Sequence, residues 1–124
     1  MKTMRWWLAA AALMAGAAQA QMVEIAWDAN GGFAHEDELQ PGKFIELCEK
    51  LAPGTQVGWR YDALGPLDFN VHYHVGKKVH YPVQRKATQQ GDGVLKPTSA
   101  QEYCWMWTNR TDGPISLKLS LQRR

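Results

Sequence analysis

Ile115, Leu117, Leu119 and Leu121 alternate without a break with Ser116, Lys118 and Ser120, while helical periodicity is almost absent from the chain. Successive side chains of a strand point to opposite faces, so such a run has one apolar and one polar side. Similar runs recur between turn signals. Phe44–Leu51 ends at Pro53-Gly54, and Thr55–Tyr61 ends at Gly65-Pro66. Leu67–Val75 and Val79–Val83 follow, then a short Val94–Lys96 before Pro97, and Ala100–Thr108 before Asp112-Gly113-Pro114. Met22–Trp27 reads as a further strand. Asn30-Gly31-Gly32 and Gln89–Gly93 read as loops, and His35–Glu38 as a solvated acidic stretch. No internal repeat is present. Short strands at this spacing predict an all-β fold, an antiparallel β-sandwich of about seven to eight strands.

The first twenty residues stand apart. Lys2 and Arg5 form a basic head, an apolar run extends from Trp6 to Ala17, and Ala18-Gln19-Ala20 has the small-residue spacing of a cleavage site. This pattern predicts a secretory signal peptide over 1–20, cut before Gln21, and hence a periplasmic or secreted protein. Removal leaves 124 − 20 = 104 residues, enough for one domain. Residues 21–43 then form an N-terminal segment packed on a sandwich spanning 44–124. The loss of Lys2 and Arg5 leaves 14 − 2 = 12 basic residues against 12 acidic ones. A near-neutral domain lacks the basic stripe that phosphate backbones require, so nucleic acid is not an expected partner. No other apolar run is long enough to cross a bilayer as a helix.

Cys48 and Cys104 are the two cysteines. An even count in an exported chain favours a disulfide, which over so long a loop contributes about 4 kcal/mol. The alternative is a thiolate acting as metal ligand or nucleophile, which requires a free thiol with a depressed pKa. Cys104 with a histidine base would be the enzyme reading, but a disulfide leaves no free thiol and the histidines bring no acid–base partners, so no catalytic residue is assigned and the chain is not read as an enzyme.

Three of the four histidines fall in Asp68–Pro82. Val71, Tyr73 and Val75 alternate on one arm of a hairpin, and Val79, Tyr81 and Val83 on the other. If both apolar sets lie on the buried face, Val75 pairs with Val79 across a Gly76-Lys77-Lys78 turn. In that register His74 opposes His80, and His72 lies two residues along on the same face. Neutral imidazoles converging in this way suit a transition metal, copper before zinc. Met106 would add a soft ligand, while Asp68 and Asn70 could supply oxygen or orient a ring. The plainer reading is a polar, solvated hairpin face.

Phe44–Cys48, Pro53–Val57 and Tyr103–Asn109, in this order and spacing, resemble the GOLD (Golgi dynamics) domain, the lumenal part of vesicle cargo receptors. The resemblance covers roughly Phe44 to Leu121. It implies a β-sandwich crossed by a Cys48–Cys104 disulfide, with Asn109 closing the late strand. It also suggests a protein-interaction module, working through Trp105 and Trp107 or the hairpin edge. The family's coiled coil and membrane span have no counterpart here, and the histidines are not part of its pattern.

Overall fold

Alternating apolar residues build seven strands, and no helix occurs among the described residues. The structure is a computed structural model that describes residues 21–124. The signal-peptide reading concerns 1–20 and lies outside the described residues. The strands are β1 (Gln21–Met22), β2 (Gly32–Leu39), β3 (Phe44–Leu51), β4 (Val57–Val75), β5 (Lys78–Leu95), β6 (Gln101–Thr108) and β7 (Ile115–Arg123). They form one curled sheet in the order β1-β3-β6-β4-β7-β2, with β5 paired to β4. All pairings are antiparallel except that of β1 with β3.

The 19-residue β4 organises the sheet. It pairs with β5 along most of its length, with β7 over Val57–Ala63 and with β6 over Asp68–His72. The two halves of the sheet therefore share this strand and close over one core. Leu47, Val57, Leu67, Val71, Trp105 and Trp107 are fully enclosed there. Phe69 joins the halves, its ring 4.7 Å from that of Trp59 and 4.9 Å from that of Trp107.

Several local expectations change. Gly65-Pro66 does not separate two strands. It lies in the stretch of β4 where the β5 register shifts, between Asp62 and Leu67, so the missing proline N–H breaks no ladder bond. Gln89–Gly93 is strand, not loop. Gly91 and Gly93 lie opposite Tyr61 and Trp59, whose rings occupy the space a side chain would need. His35–Glu38 belongs to β2, which pairs with β7. Its inward residues Phe33, His35 and Asp37 are half-buried and Leu39 is buried, an alternation masked by the polar side chains. Met22–Trp27 contributes only the short β1, yet Val23, Ile25 and Trp27 still pack on the core.

Asn109 is buried immediately after β6. Its Nδ2 donates to the carbonyls of Leu39 and Gly113 at 2.9 and 2.8 Å, and its Oδ1 accepts from the Thr111 amide and hydroxyl. One side chain thereby ties the end of β2 to the β6–β7 turn, which explains a fully buried polar residue at this position.

Candidate functional site

Cys48 and Cys104 are directly opposed on β3 and β6 and form a disulfide. It joins neighbouring strands and does not cross the sandwich. It lies on the outer face of the sheet, because Tyr103, Trp105 and Trp107 take the inner one. Both indoles are fully buried, so the Trp105/Trp107 face expected as a partner surface is core. The reason is positional: β6 lies between β3 and β4, and its inner side is covered by the opposite half of the sheet.

The outer face of β3, β6 and β4 carries a polar cluster. Directly opposed residues share a face, so the row Glu46–Met106–Asn70 and the row Cys48–Cys104–His72 line up side by side. His72 is 5 % exposed. Its Nδ1 lies 2.7 Å from Asn70 Oδ1, which can only accept, so Nδ1 carries the proton. Its Nε2 points towards Glu46, 3.8 Å from Oε2 and beyond hydrogen-bond reach. The His74 ring meets that of His72 edge-on at 5.3 Å. Burial raises the Glu46 carboxyl above its ordinary pKa, opposed by His74 and reinforced by Glu102. Burial also lowers the His72 imidazole, and His74 adds to this.

His80 does not join this cluster. The expected register holds at Asn70↔Gln84 and Val71↔Val83, but an irregularity between Val71 and Tyr73 shifts the pairing of the residues towards the hairpin tip. Beyond it His80 opposes Tyr73, His74 opposes Val79 and Val75 opposes Lys78. A one-residue slip moves side chains to the other face. His80 therefore stacks on Tyr73, ring centroids 5.0 Å apart, on the side away from His72 and His74. The turn is accordingly two residues, Gly76-Lys77, with Gly76 at φ 59° as the first position of a type II′ turn requires. Asp68 is also engaged elsewhere, accepting from the Ala87 amide at 2.9 Å and from Arg110 Nε at 2.7 Å.

Past His72, β4 has only β5 as a neighbour. Beyond Tyr73, whose ring still packs against that of Tyr103, the two strands continue as a free arm, and both faces meet solvent. Val75, Val79 and Tyr81 are 47, 37 and 48 % exposed. This is why the buried-face argument for the register fails towards the hairpin tip: no second layer reaches past Tyr73. From Val75 to Gly91 the chain carries Lys77, Lys78, Arg85 and Lys86 and no acidic residue.

No family model and no curated protein sequence matches the chain. Solved structures do resemble it. The fold is similar to Aeromonas hydrophila PliG, described as a periplasmic lysozyme inhibitor of g-type lysozyme. The TM-score is 0.64 at 12 % identity, covering 86 % of this chain and 98 % of that one. Salmonella Typhimurium PliG, described in the same words, gives 0.59 at 9 % identity, covering 86 % and 100 %. The pre-peptidase C-terminal domain of Bacillus anthracis collagenase gives 0.60 at 9 %, covering 84 % and 95 %. At these identities the likeness concerns the fold alone. The β fold and the Cys48–Cys104 pairing implied by the GOLD resemblance stand, without a family model to place the chain in that family.

Proposed function

We propose that the chain is an exported, non-catalytic binding protein that engages a protein partner through the β4–β5 arm. The observation that carries this reading is the arm itself: a two-stranded extension with Val75, Val79 and Tyr81 exposed beside Lys77 and Lys78. Isolated apolar residues at a surface are ordinary, but a projecting basic hairpin with Val79 and Tyr81 on one face and Val75 on the other suits insertion into an acidic cleft. Glycan-cleaving hydrolases offer such a cleft, because paired carboxylates flank the bond they break. Two proteins of similar fold are described as inhibitors of g-type lysozyme, which makes a lysozyme the first partner to try. Export, read from 1–20, agrees with the periplasmic description of both. Copper at a trio of His72, His74 and His80 lacks comparable support, since His80 faces away from the other two.

The test is inhibition of g-type lysozyme in a cell-wall lysis assay, with binding measured in parallel by calorimetry. The expected result is inhibition that Lys77→Glu with Lys78→Glu abolishes and that weakens as salt rises. Inhibition unaffected by that double variant would refute the arm. Failure to bind any lysozyme would refute this partner class.

A further inference from the structure

We propose that Glu46, His72 and His74 bind a divalent late first-row metal ion on the outer face of β3, β6 and β4, with Met106 as an adjacent soft donor. Ligand atoms about 2.0–2.1 Å from one zinc-sized ion must lie within about 4 Å of each other. His72 Nε2 and Glu46 Oε2, 3.8 Å apart, meet that condition.

The protonation pattern points the same way. Asn70 fixes the proton on His72 Nδ1, so Nε2 turns a lone pair towards the carboxylate. Two acceptors facing each other across a gap too wide for a hydrogen bond repel once the carboxylate is ionised. A cation between them converts that repulsion into coordination. A hydrogen bond on the far nitrogen is also the usual device for holding a metal-binding imidazole in place.

His74 completes the set. It is exposed, so its side chain is free to rotate, and its ring already meets that of His72. The Cys104 sulfur lies within 4.8 Å of the Glu46 and His72 donor atoms. In a disulfide it has no thiolate to offer, so it forms part of the wall. Two imidazoles and a carboxylate favour copper(II) or zinc over magnesium or calcium, and the Irving–Williams order places copper(II) first. The exposed His74 gives the site a solvent-facing side.

The experiment is calorimetric titration of the purified protein with CuCl2 and, separately, ZnCl2, together with electron paramagnetic resonance of the copper(II) form. One equivalent is expected to bind, copper tighter than zinc, with hyperfine coupling to two imidazole nitrogens. Glu46→Gln and His74→Ala should each weaken binding about tenfold or more, and Asn70→Ala about tenfold, as loss of an orienting partner does. His80→Ala should leave affinity unchanged. Circular dichroism establishes that each variant is folded. No saturable binding at submillimolar copper(II) overturns the site. So does affinity lost with His80→Ala but retained in Glu46→Gln and His74→Ala.

Discussion

The ring of Trp59 fills the place of a side chain at Gly93: a Cβ built there would stand 2.5 Å from Trp59 Cζ2. The two residues are directly paired across β4 and β5, and Tyr61 covers Gly91 in the same way, with a Cβ at 2.8 Å from its Cε1. Aromatic residues laid over strand glycines restore packing that glycine alone cannot provide. Gly93→Ala is expected to destabilise the fold by about 1–3 kcal/mol, the usual cost of overpacking. Gly113→Ala, with open space around it, should stay within about 0.5 kcal/mol of wild type. Urea midpoints of the two variants provide the comparison.

Trp107 packs between Phe69 and Tyr61, ring centroids 4.9 and 5.7 Å away. Trp107→Ala should cost about 3–5 kcal/mol through the cavity it opens. That is a large share of the roughly 5–15 kcal/mol that holds a domain together. The expected readout is a lowered thermal midpoint with or without any partner present. A variant of wild-type stability that selectively loses partner binding would put this side chain on the surface instead.

Ala87 holds a φ of 50°, which costs little only for glycine. It sits where the β4–β5 register shifts between Leu67 and Phe69, and Asp68 receives its amide. Ala87→Gly should therefore be neutral or stabilise by up to about 1 kcal/mol, while Ala87→Val should destabilise. Denaturant titration of both variants checks the sign.

The Ala87 amide, together with Arg110, holds the Asp68 carboxyl below its ordinary pKa against a smaller opposing effect of burial. These contacts favour the ionised form. Their contribution is fully present above the unfolded-state value, about 3.9, and is lost as pH falls through the lower folded-state value. Asp68→Asn should thus be less stable than wild type near neutrality, and the gap should close in acid. Chemical denaturation across that range measures it. A gap independent of pH would mean that Asp68 acts through something other than its charge.

Cys48 and Cys104 are 56 residues apart in sequence. Closing a loop of that length should contribute about 4 kcal/mol. Reduction should lower the guanidinium midpoint accordingly. Intact mass under non-reducing conditions should be two hydrogens below the dithiol form.

Much of the architecture is legible in residue order, and the exceptions have specific causes. The alternation in Ile115–Leu121 needs nothing beyond side-chain geometry to become β7. The disulfide agrees with an even cysteine count in a chain read as exported. β2 is hidden in the sequence because its inward positions include His35 and Asp37, 3.4 Å apart, so hydropathy does not mark the face. The Gln89–Gly93 strand is hidden because its packing comes from the rings of Trp59 and Tyr61 on the neighbouring strand.

The candidate sites divide in the same way. Sequence alone determined that His72, His74 and Asn70 share a face, because period-two geometry is local to one strand. It also determined that β6 carries Cys104 and Met106 on the side opposite Trp105 and Trp107. Only the tertiary structure decided which of those sides is buried, that Glu46 of β3 comes within 3.8 Å of His72, and that His80 turns away. Those outcomes depend on which strands become neighbours and on a one-residue shift beside Val71. A pairing register is a property of two strands together, and no single run of residues encodes it.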